Sequence, residues 1–91
     1  MNGKPTLQQK PLPKWFNGTI YNEGDTVSNP YTGESIYLTA EELSMYDFIK
    51  GAEFVLGTMP VGNSSKIITE MRKGLDWFRR ANPEAYMVLL D

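Results

Sequence analysis

The chain has 91 residues, a formal net charge of −2, and neither cysteine nor histidine. That length holds one domain, which by area scaling buries roughly 64% of the surface its unfolded form exposes. Without cysteine there is no disulfide, thiolate metal site or thiol nucleophile, and without histidine the commonest general base and metal ligand are missing.

Residues 1–14 carry Pro5, Pro11 and Pro13 among Lys4, Lys10 and Lys14, with few large apolar side chains. Proline removes amide donors and favours extended backbone, so this segment reads as a flexible arm, and residues 15–91 as the single globular domain. Trp15 and Phe16 then anchor the arm to the core. Residues 15–38 are rich in turns: Asn22-Glu23-Gly24-Asp25 and Asn29-Pro30-Tyr31-Thr32-Gly33 supply the residue types of tight turns. Around them lie the short β-prone pieces 19–21, 26–28 and 35–38. Ile36 and Leu38 share a face, which predicts a hairpin about the 29–33 turn. Such a hairpin is marginal alone and must lean on helices.

Thr39 followed by Glu42 is a capping box, and Glu41 and Glu42 suit the positive end of a helix dipole. Met45, Phe48, Ile49, Ala52, Val55 and Leu56 fall within an arc of about 120° on a helical wheel, predicting a helix over 40–56 that Gly57 ends. A Gly/Pro/Asn/Ser connector follows. Ser64 or Ser65 caps a second helix to residue 81, whose stripe is Ile67, Ile68, Met71, Leu75 and Phe78. Arg72–Asp76 and Asp76–Arg80 sit at i,i+4 and predict solvated pairs. Asn82-Pro83-Glu84 is a third helix start, leading into an apolar run over 86–90, for which a closing strand is the alternative.

The connector is a near miss to a phosphate loop. Asn63 stands where the lysine belongs, and a helix precedes it where that motif needs a strand, so an ordinary helix–helix connector is the preferred reading. Trp77 lies about 130° from the centre of its helix's apolar stripe, beside Lys66, Lys73 and Arg80. An aromatic among cations suits a nucleic-acid surface, but cover by the 15–38 segment or the last helix is the preferred reading. Leu43 and Phe54 lie off the first helix's stripe, either packed under the N-terminal segment or forming a self-association patch. Carboxylates are plentiful (Glu23, Asp25, Glu34, Glu41, Glu42, Asp47, Glu53), but no spacing pairs them for acid–base work, and caps, turns and solvation explain most of them.

Charge is unevenly spread. Residues 1–38 balance at zero (3 Lys, 3 acids), residues 39–60 carry −3 (1 Lys, 4 acids) and residues 61–91 carry +1 (5 basic, 4 acidic). This is not the basic footprint of an autonomous nucleic-acid binder. No apolar run follows the first charges and none approaches ~18 residues, so neither a signal peptide nor a membrane span is expected. A cytoplasmic setting follows, in which the sequons at Asn17 and Asn63 are idle.

Lys14-Trp15-Phe16-Asn17-Gly18-Thr19, Asn29-Pro30-Tyr31-Thr32-Gly33-Glu34, Leu43-Ser44-Met45-Tyr46-Asp47-Phe48-Ile49 and Ala85-Tyr86-Met87-Val88-Leu89-Leu90-Asp91 together resemble small proteins of tailed phages of marine cyanobacteria. That group has no assigned activity, so no functional residue is carried over. The resemblance implies a phage or metagenomic origin and expression inside a bacterial host.

The expected fold is α+β and mostly helical. A short N-terminal β-hairpin packs on an antiparallel helical hairpin (40–56 and 65–81), with a short C-terminal helix closing the core. The expected function is a non-enzymatic, phage-encoded protein-interaction module without cofactor or metal, its partner a host protein, a phage protein or a second copy. The rival readings are a nucleic-acid-binding accessory protein using Lys66, Lys73, Trp77 and Arg80, and a minor virion component.

Overall fold

The computed structural model describes residues 11–58 and 65–91. In chain order these form strands β1 (Asp25–Ser28) and β2 (Ser35–Leu38) and helices α1 (Ala40–Thr58), α2 (Ser65–Ala81) and α3 (Pro83–Leu89). The fold is α+β and mostly helical, the hairpin preceding three helices. Residues 1–10 of the expected arm and 59–64 of the connector lie outside the described residues. So does most of the phosphate-loop near miss, whose first two residues, Gly57 and Thr58, belong to α1.

β1 and β2 pair antiparallel, with Val27 opposite Ile36 and Asp25 opposite Leu38. Because side chains alternate across a strand, Val27, Ile36 and Leu38 share the inner face. Leu38 is fully buried there, while Tyr37 is exposed on the other face. The connecting loop is built by Asn29. Its Oδ1 accepts from the amides of Tyr31 (2.8 Å) and Thr32 (3.3 Å), and its carbonyl accepts from the Gly33 amide at 2.8 Å. Gly33 adopts φ +81°, a conformation a residue with a Cβ enters only with strain. The Asn29 amide group also donates to the Val88 carbonyl at 2.8 Å, satisfying a last-turn acceptor of α3 and docking the loop on it.

Just before β1, a Cβ at Gly24 would overlap the Leu38 carbonyl oxygen and the Tyr37 hydroxyl. The Gly24→Ala variant is therefore expected to lose about 1–3 kcal/mol of stability, read by urea denaturation. An unchanged midpoint would show that this approach is slack.

Both halves of the capping box form: the Thr39 amide donates to Glu42 Oε1 at 3.0 Å, and the Glu42 amide to Thr39 Oγ1 at 3.3 Å. α1 passes the expected stop at Gly57 and ends at Thr58, whose hydroxyl bonds the Phe54 and Val55 carbonyls at 3.2 Å each. These bonds back to the preceding turn add donors at a helix end, where carbonyls run short of them. Met45 and Ile49 lie against Gly74, while Ala52 and Val55 share a cleft with Ile67. The two helices therefore run antiparallel. A Cβ at Gly74 would stand 3.1 Å from Met45 Sδ, so the absence of a side chain there sets how closely they approach.

α3 begins as the Asn-Pro signal predicts, Asn82 Oδ1 accepting from the Ala85 amide at 3.1 Å. The 84–90 segment is helical rather than a closing strand, with Ala85 and Leu89 facing the core and Met87 68% exposed. The core joins Leu38, Met45, Ile49, Trp77, Phe78, Ala85 and Leu89. Its most buried α2 residues are Gly74, Trp77 and Phe78, while Ile67, Ile68, Met71 and Leu75 are only half-buried. The buried face of α2 is thus turned from the predicted stripe toward Trp77.

That turn is caused by the N-terminal segment. Leu12, Trp15 and Phe16 pack against the core, and the Trp77 indole N–H donates to the Pro11 carbonyl at 2.9 Å. Trp15 and Phe16 stack around Phe48, with ring centroids 5.8 and 5.5 Å away. Further along, the Tyr21 amide donates to the fully buried Ser44 hydroxyl at 2.9 Å. Residues 11–14, assigned from sequence to the flexible arm, belong to the packed domain: prolines fit an extended strap that donates few bonds of its own.

Candidate cleft between the two long helices

The basic-aromatic surface proposed on α2 does not assemble. Trp77 is 9% exposed, covered by the strap rather than presented to solvent, so it offers no stacking face. Lys66 pairs with Glu70 at 3.5 Å and Arg80 with Asp76 at 3.1 Å, while Lys73 stands 6.0 Å from the Trp15 ring centroid. The aromatic that meets a cation is Trp15, near Lys73, and its ring also packs against Phe48. The predicted pair between Asp76 and Arg80 forms, and the second pair of Asp76 is with Arg79 at 2.7 Å rather than with Arg72.

The Leu43–Phe54 patch divides. Leu43 is half-buried against the core, whereas Phe54 is 71% exposed. They share a side of α1 but lie eleven residues apart, about 16 Å along the axis. Lys50 lies between them in sequence and binds Glu53 at 3.1 Å. Chiefly through that hydrogen bond, and against a smaller opposing effect of burial, its amine is raised above its ordinary value. It therefore stays protonated at neutral pH, the reverse of what an amine nucleophile requires.

The remaining acids mostly serve the architecture. Glu42, 5% exposed, accepts from both the Thr39 amide and Asn82 Nδ2, the latter at 3.1 Å. One carboxylate oxygen thus joins the start of α1 to the start of α3. Among the described residues, no three potential ligands gather to hold a metal ion, and no helix is long and apolar enough to cross a membrane.

A concavity beside the strap is lined by Gly18 and Thr19 together with residues of both helices along the α1–α2 seam. Its volume is about 340 Å³. Phe48, Ala52 and Val55 of α1 and Ile67 of α2 supply its apolar walls, and Gly51 keeps it open because nothing lies within 4 Å of where its Cβ would stand. Asp47 and Glu70 bring carboxylates to its lining, one from each helix.

Sequence reasoning placed Ala52, Val55 and Ile67 on core stripes, and these residues do face the helix–helix seam. It missed that the seam stays partly empty. The available signal was Gly51-Ala52: two small residues in mid-helix beside that stripe leave little to fill the space.

Comparison with family models, curated proteins and solved structures finds no match to this chain.

Proposed function

We propose that this chain is a non-enzymatic protein-interaction module. The observation that supports it is the cleft between α1 and α2, apolar-walled and lined by a carboxylate from each helix. A well-formed apolar concavity with a few polar groups is the default location for recognition on a small domain. A phage origin, with a host or phage protein as partner, belongs to the same proposal and rests on the sequence resemblance.

The nucleic-acid reading loses its stacking residue, since Trp77 is buried, and two of its three cations already have acidic partners. A protein partner is therefore the reading to test. Benzoylphenylalanine, a photo-reactive side chain, is placed in separate variants at Thr19, an exposed residue lining the cleft, at the exposed Phe54 and Met87, and at Glu84 as control, and each variant is irradiated in the producing cell. Covalent protein adducts that form from Thr19 but not from Glu84 are expected. No adduct above control from Thr19, Phe54 or Met87 would overturn the proposal.

A further inference from the structure

The charge around the cleft specifies its occupant more narrowly, given that the interaction reading holds. Asp47 is exposed and, among the described residues, makes no ion pair or side-chain hydrogen bond. Across from it, the Glu70 side chain is only 19% exposed, and its one cation is Lys66, 3.5 Å away on a side chain that is 77% exposed. At 3.5 Å, with the ammonium end in solvent, that pair is loose and readily exchanged. The nearby cations are engaged elsewhere, Lys50 with Glu53 and Lys73 over Trp15. The cleft thus combines an apolar interior with two carboxylates that, among the described residues, have little compensating positive charge. At about 340 Å³ it is near the lower end of the range for ligand sites, about 300–1,000 Å³. It has room for one large side chain and its immediate neighbour, and too little for a whole helix.

We propose that the cleft docks a partner protein segment presenting one large apolar side chain next to an arginine or lysine. The apolar group enters between Val55 and Ile67 over Gly51. The cation lies between Asp47 and Glu70, displacing Lys66. An arginine suits this arrangement best, because its planar fork reaches carboxylates on two helices and its weak hydration lowers the cost of entry.

The test is a nitrogen-15 NMR titration of the whole chain with three capped dipeptide amides at millimolar concentration: Phe-Arg, Phe-Glu and Gly-Arg. Phe-Arg is expected to shift the amides of Gly18, Gly51 and Ile67. It should bind about five- to tenfold more tightly than Phe-Glu, with a difference that shrinks as salt is added. Gly-Arg should shift these amides far less. Asp47→Lys should reverse the order of Phe-Arg and Phe-Glu. Gly51→Leu, which projects into open space and so leaves the fold intact, should abolish both.

Equal shifts from Phe-Arg and Phe-Glu would overturn the charge assignment. Absence of cleft shifts with every dipeptide would overturn the docking site itself. In that case adducts from Phe54 or Met87 in the cross-linking experiment would leave the interaction reading standing, so the two failures are distinguishable. A Thr19 adduct of twice the chain mass would name a second copy as occupant and overturn the partner-segment proposal.

Discussion

Replacing Trp77 with alanine is expected to lower the unfolding free energy by about 3–5 kcal/mol. The indole is 9% exposed and lies in the same cluster as Phe78, so truncation leaves a cavity in the core as well as removing apolar area. It also deletes the donor to the Pro11 carbonyl, the bond that ties the strap to α2. Trp77→Phe separates these contributions: the aromatic volume is largely kept, and the lost hydrogen bond alone is worth about 0.5–1.5 kcal/mol. Denaturant titration followed by far-ultraviolet circular dichroism measures both. A loss below about 1 kcal/mol for the alanine variant would mean that the tryptophan is not held in the core. For a domain whose total stability falls in the usual range of about 5–15 kcal/mol, the alanine variant should be visibly less folded at physiological temperature.

Glu42→Ala is the second large effect, expected at about 3 kcal/mol from the loss of two bonds to a charged acceptor. The side chain closes the capping box at Thr39 and accepts from Asn82, which itself caps α3. Its removal leaves the Asn82 amide group without that acceptor at a half-buried position. Glu42→Gln retains a carbonyl oxygen and should cost less. The distinguishing measurement is a double-mutant cycle with Asn82→Ala. Residues in direct contact show coupling of about 0.5–3 kcal/mol, and coupling within error of zero would dissolve the link between the two helix starts.

These two residues mark where the sequence was legible and where it was not. The Thr39–Glu42 box, the Asn82 cap and the Asn29–Gly33 loop were readable because each is written within a few residues, in local chemistry that has few alternatives. The alternation of Ile36 and Leu38 and the spacing of Met45, Ile49 and Ala52 gave the inner faces for the same reason. The second bond of Glu42 spans 40 residues and the Trp77–Pro11 bond spans 66, and no periodicity encodes either. A helical wheel shows that Trp77 falls outside the main stripe. It cannot show that a proline-rich strap, itself read as unstructured, lies across that side. The cleft was hidden by the same limit: wheels count the side chains facing a seam and say nothing of the space left between them.

The bond from Asn29 to Val88 has a kinetic consequence. It closes a loop of 59 residues, whereas Val55 and Ile67, which line the same cleft between α1 and α2, are only 12 apart. With entropy growing as the logarithm of loop length, the longer closure costs about 1.4 kcal/mol more. The helix pair is therefore the natural nucleus, and the turn of the β-hairpin locks onto α3 late in the folding reaction. Contacts made after the rate-limiting step act on the rate of escape rather than the rate of arrival. The asparagine that shapes the turn thus also slows the opening of the finished molecule.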